Sequence, residues 1–302
     1  MRPAPFPHGI ETARRPTGPI LGIVVVVACV LLGQLLGAVV LLPLFGLEPS
    51  ALLTGPLGPV EQLVLLLSSG GPVVLLALWI GLKERRRFGS VGFVPASRVG
   101  PRLGLGVGVA VLLLSLPVAL NLLTGQYEVR AVQLAQLGAA LLALLGFAVQ
   151  ASTEEVLIRG YLLQVVRRGW GLPVAMGVQA VVFTALHGAN AGVSAVGLVN
   201  ILLVAALLGF WALAEGGLWG VCAFHVVWNW LQGNGYGIEV SGMDIGAAVL
   251  DVAASPGAAP LLTGGDFGVE GSLITTVVLL AATALAARAH HRRTPLTRSD
   301  DE

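Results

Sequence analysis

Eight apolar runs follow one another along the chain, most of them close to the 20 or so residues that an α-helix needs to cross a hydrocarbon core. They cover residues 20–42, 60–82, 103–123, 132–153, 172–187, 193–213, 217–231 and 271–288. No soluble core absorbs that much: 56% of the 302 residues are hydrophobic, 11% are charged and the mean hydropathy is +0.87. The expected fold class is therefore an all-α polytopic membrane protein of about eight transmembrane helices. The fifth and seventh runs are short, which predicts tilt, burial against neighbours or a local break. The fourth is expected to continue as helix to about Arg168, because "EEVLIRGYLLQVVRR" holds good helix formers and no proline.

Charge sorts the connections into two sets. Arg14 and Arg15 precede the first run, Lys83, Arg85, Arg86, Arg87, Arg98 and Arg102 follow the second, Arg167 and Arg168 follow the fourth, and "ARAHHRRTPLTR" follows the eighth. With eight crossings all of these fall on one side, whereas the loop from Gln232 to Glu270 carries five acids and no Lys or Arg and falls on the other. The expectation is a multi-pass protein of the cell membrane with both termini in the cytoplasm. Residues 1–19 then form a polar tail, 20–288 the membrane domain and 289–302 a basic tail. A net charge of +1 argues against nucleic acid as a partner. Cys29 and Cys222 lie inside apolar runs and imply no disulfide framework. "GLGVG" at 104–108 supplies small residues for close helix packing.

Ionisable groups inside the membrane cost about 2.5–3.5 kcal/mol each on insertion scales, so each one is a functional candidate. Few are present: Glu154, Glu155 and Arg159 on the fourth run, His187 at the end of the fifth, and His225 with Asn229 on the seventh. Counting inward from the ends of the runs at 1.5 Å per residue, Glu154, His187, His225 and Asn229 reach one level within the boundary error. Glu155 and Arg159 are i,i+4 with the acid first, the favourable order for an intrahelical ion pair, and Glu154 points about 100° away, free to face other helices. His225 and Asn229 share a face one turn apart, and Phe183 shares the face of His187.

Three ordered motifs, Glu154-Glu155-x-x-x-Arg159, Phe183-x-x-x-His187 and His225-x-x-x-Asn229, together resemble the CAAX prenyl protease 2 and bacteriocin-processing group of intramembrane endopeptidases, the CPBP or Abi family. The resemblance covers roughly residues 135–235. Leu157 and Ile158 stand where that family commonly has aromatic residues. The resemblance implies that Glu154 with His187 activates a water for attack on a peptide carbonyl and that His225 with Asn229 stabilises the oxyanion. Glu155 and Arg159 hold the helix. The implied substrate is a membrane-associated or leader-type peptide, and no cofactor is required.

Other readings use the same residues. Zinc held by Glu154, His187 and His225 with an open position for water is one, although asparagine is an uncommon zinc ligand and a natural oxyanion donor. A proton-coupled transporter would place polar groups on further helices in a repeated architecture, and neither is visible in the sequence. An immunity protein without catalysis would have no need of an intact set of four site residues.

Overall fold

The computed structural model describes residues 6–52, 55–93 and 98–293; residues 1–5 and 294–302 of the two polar tails lie outside the described residues. Among the described residues, six helical stretches are long and apolar enough to cross a membrane: Pro19–Leu44, Pro59–Glu84, Val99–Leu123, Leu134–Trp170, Ala195–Glu215 and Leu273–Arg292. They contain helix α1 (Pro19–Leu44), α2 and α3 (Pro59–Ser68, Gly70–Leu78), α4 (Val99–Leu123), α5 and α6 (Leu137–Glu155, Leu163–Trp170), α8 (Ala195–Glu215) and α11 (Leu273–Arg293). The fifth and seventh apolar runs form α7 (Leu172–His187) and α9 (Trp219–Trp230), both below spanning length, so eight full crossings do not follow from length alone. The protein is an all-α polytopic membrane protein. Leucine and valine side chains of α1, such as Leu31, Leu35 and Val40, face outward, as hydrocarbon requires.

The fourth run starts later than the expected residue 132. Tyr127–Val132 form strand β1, which pairs antiparallel with β2 (Leu250–Ala254), Tyr127 opposite Ala254 and Val132 opposite Leu250. The alternating "YEVRAV" suits a strand, and pairing satisfies backbone groups that no helix takes up there. At its other end the run continues to Trp170 as expected, through a wide π-turn at Val156–Leu162.

Close backbone approach holds the helices together where glycine permits it. A Cβ on Gly33 of α1 would sit 2.3 Å from the backbone nitrogen of Pro72, and one on Gly106 of α4 would sit 2.3 Å from the carbonyl oxygen of Gly220. Gly106 is thus the packing residue of the "GLGVG" stretch, while Gly104 and Gly108 meet nothing within 4 Å.

The two ends of the bundle differ in chemistry. At the basic end the buried Glu84 carboxylate accepts from Thr17 Oγ1 (2.5 Å), Arg86 Nε (2.6 Å) and Tyr161 Oη (3.3 Å), and the backbone nitrogen of Arg14 donates to its carbonyl (2.9 Å). Arg102 donates to the carbonyl of Glu215 at the same end. The opposite end holds the small sheet, the single helical turn α10 (Pro260–Thr263) and the acidic connection between α9 and α11. There Tyr127 donates to the carbonyl of Thr263 (2.5 Å), and burial first, then Glu239, raises its phenol above the usual range.

Candidate active site

The buried layer of the site forms around Arg159. The π-turn that follows Glu155 carries this arginine, and its Nη1 donates to Glu155 Oε1 at 2.7 Å with neither side chain exposed. Its guanidinium lies 4.5 Å from the centroid of the Phe183 ring, a cation–π contact in a water-poor setting, and Nη2 reaches the carbonyl of Ala205 at 3.3 Å. The i,i+4 pair read from the sequence is therefore formed. Phe183 also packs on His187, with ring centroids 4.5 Å apart, and meets His225 edge-on at 6.2 Å.

His225 links this layer to the cavity. Its Nδ1 lies 2.9 Å from Glu155 Oε1, and because a carboxylate paired with arginine only accepts, Nδ1 carries the hydrogen. The Nε2 atom is then its working nitrogen, and it faces Glu154 Oε2 at 3.7 Å. The same logic fixes His187, whose Nδ1 lies 2.8 Å from the carbonyl oxygen of Phe183, leaving Nε2 free. Among the described residues no hydrogen bond joins Glu154 to His187; the nearer imidazole is that of His225.

Glu154 and Asn229 are joined by a residue that the sequence reading passed over. Gln150, one turn before Glu154 on α5, donates through Nε2 to Glu154 Oε1, and its Oε1 accepts from Asn229 Nδ2 at 3.2 Å. The carboxylate dictates this order, since an ionised acid only accepts and the amide must turn its nitrogen toward it. An uncharged amide at i−4 of an intramembrane acid was the available signal. Glu154 Oε2 is left buried without a hydrogen-bond partner among the described residues.

Glu154, His187, His225 and Asn229 all line one cavity of about 640 Å³. Its far wall is the connection after α9, fixed in place by Glu270, which accepts from Trp228 Nε1 (2.9 Å), Ser241 N (2.8 Å) and Ser241 Oγ (2.7 Å). An acid in a loop gives no such signal in sequence. Burial first, and the neighbouring Asp244 and Asp266, push the Glu239 carboxyl of this connection above the usual range. No three His, Cys, Asp or Glu side chains among the described residues converge as a metal-holding set, so the zinc reading finds no ready donor cluster in this arrangement.

Residues 136–231 match the model of the Rce1-like family, described as type II CAAX prenyl endopeptidase Rce1-like. The chain carries an Rce1-like domain. The match runs from the start of α5 to the residue after the end of α9, and all seven motif residues fall within it. The helical bundle makes this a multi-pass membrane protein, and over about a third of its length it is similar to a family of type II CAAX prenyl endopeptidases. No curated protein and no solved structure matches the chain. Helices α1–α4, α11 and the acidic connection lie outside the match, so what they add to the Rce1-like domain has to be read from contacts alone.

Proposed function

We propose that the protein hydrolyses a peptide bond within or beside the membrane, with Glu154 as general base and no metal in the step. The observation that carries this reading is the Glu154 carboxylate, whose Oε2 has no hydrogen-bond partner among the described residues and lies 3.7 Å from His225 Nε2, on the wall of a cavity that His187, His225 and Asn229 also line. A water in that space gives one proton to Glu154 while its oxygen bonds to the peptide carbonyl carbon. His187, with Nε2 unprotonated, accepts from the same water and orients it. The carbonyl oxygen becomes an oxyanion, and the second N–H of Asn229 and the Nε2–H of His225 donate to it. With His225 carrying both protons, Glu154, Glu155, Arg159 and His225 sum to zero charge, a suitable balance for a group of ions removed from water. As the C–N bond breaks, Glu154 returns the proton to the departing amine. Gln150 touches no substrate in this scheme and acts as a positioning residue for Glu154 and Asn229. The basic end is assigned to the cytoplasm, with both termini.

Cleavage of a membrane-protein extract by the purified, detergent-solubilised chain, with and without exhaustive chelation, tests the scheme. Peptide products should form equally in both and be absent with Glu154→Gln. Chelation that stops cleavage, with zinc restoring it, would overturn the metal-free step.

A further inference from the structure

The cavity and the seal beneath it come from opposite ends of the molecule. Its walls beyond the helices are Leu52 and Leu57 from the α1–α2 connection, Ala191 from the α7–α8 connection, and Ser241, Asp244 and Glu270 from the acidic connection. Among the described residues, none of the basic connections contributes a lining residue. Between Glu154 and the basic end the structure is closed instead. Gly160, six residues or about 9 Å further along the helix, is so tightly packed that a Cβ there would lie 3.0 Å from the carbonyl oxygen of Val91. Val91, Leu218, Tyr161 and Ile10 are all fully buried in this layer. Hydrogen bonds from Leu218 N to the Gly92 carbonyl (3.1 Å), Gln164 Nε2 to the Ser90 carbonyl (3.1 Å) and Ile10 N to Gln164 Oε1 (3.0 Å) fasten it.

Lysine and arginine mark the cytoplasmic side of a membrane protein, and every basic connection lies on the sealed side. We infer that the catalytic cavity opens to the extracytoplasmic face, so that the substrates are peptide segments presented there, at or beyond the outer leaflet. Apart from the site histidines, the ionisable residues lining the cavity among the described residues are Glu154, Asp244 and Glu270, all acids, and Asp244 is exposed. A segment that is neutral or basic around the scissile bond is the one this lining accepts. The inference rests on the endopeptidase reading for its substrate class, but the direction of opening stands on wall composition and charge.

Site-directed labelling tests the direction without any need for turnover. In a background with Cys29 and Cys222 replaced by serine, Asp244→Cys and Ala191→Cys place a thiol on two different walls, and Arg85→Cys places one at the basic end. An impermeant sulfonated maleimide should label the first two in right-side-out vesicles and Arg85→Cys only in inside-out vesicles. Labelling of the two wall positions from the inside, or from neither side, overturns the inference. The endopeptidase reading is scored separately, by comparing cleavage with Glu154→Gln in detergent, so either can fail alone.

Discussion

Residues 154 and 155 place the same side chain in two different surroundings. The Glu155 side chain is wholly buried and is matched by Arg159 and His225, while that of Glu154 keeps about a quarter of its surface (27%) open toward the cavity. Helical geometry causes the split, because adjacent residues point about 100° apart and only one can face Arg159. The lesson is that charge inside the membrane takes two forms here. A buried ion pair, in which Glu155 Oε2 and Arg159 Nε keep no hydrogen-bond partner among the described residues, fixes helix register and the π-turn, and a carboxylate beside it faces the cavity without a cation of its own helix.

The sharpest way to break this comparison is to neutralise each layer in turn. Glu154→Gln keeps shape and hydrogen-bonding capacity but removes the base, and should cost about 10²–10⁴ in rate. Its thermal stability in detergent should stay within about 0.5 kcal/mol of wild type, as for a substitution that leaves packing intact. Arg159→Ala should do the reverse in kind. It removes the guanidinium from the buried Glu155 carboxylate and leaves it only His225, and breaking a buried pair from one side costs about 3–5 kcal/mol. Folded yield and melting temperature should both fall. Equal stability of the two variants would remove the distinction between the layers.

Within the cavity layer the expected effects are smaller and coupled. Asn229→Ala should lower kcat by about 10²–10³, the usual loss for an oxyanion donor, with KM little changed. Gln150→Leu should lower kcat by about 10- to 100-fold at unchanged KM and unchanged melting temperature, since it loosens two groups without deleting either. If Gln150 acts through Asn229, the double variant should lose less than the product of the single losses. Strict additivity, or a Gln150→Leu protein with wild-type kcat, would reduce Gln150 to a packing residue.

The sequence carried the membrane fold and the motif residues well because both rest on strong local signals. A run of 20 apolar residues has few other uses, and Glu155 with Arg159 is a local spacing that a helix must honour. Three features were not legible. The β1–β2 pairing joins residues more than a hundred positions apart, and "YEVRAV" sat at the edge of an apolar run that hid it. Gln150 carries no charge and drew no attention, although its two hydrogen bonds tie together the proposed base and oxyanion donor. The link from His225 to Glu155 depends on how α9 rotates against α5, which neither helix specifies alone. Sequence spacing gives faces of helices, and only packing decides which faces meet.

The weakest contrast sets the Glu155–Arg159 pair against a pair of the same chemistry in water. Glu11, in the segment before α1, is half exposed and lies 2.8 Å from His8 Nδ1 and 3.3 Å from Arg167 Nη1 at the basic end of α6. The hydrogen bond from His8, with help from Arg167, holds its carboxyl below the usual glutamate range against the opposing effect of burial. A depressed folded value means that the stabilisation is fully present above the unfolded value, about pH 4.3, and is lost as the pH falls below that through the folded value. Because the groups are solvated, the size should be only a few tenths of a kcal/mol, reduced further by added salt. Wild type and Glu11→Gln should therefore differ slightly in melting temperature at pH 6, less at pH 6 in 0.5 M salt, and not at all once the carboxyl is protonated. A difference that persists in acid, or one of several kcal/mol, would mean that this segment is held by Glu11 as firmly as the interior is held by Arg159, and that burial is not what separates the two pairs.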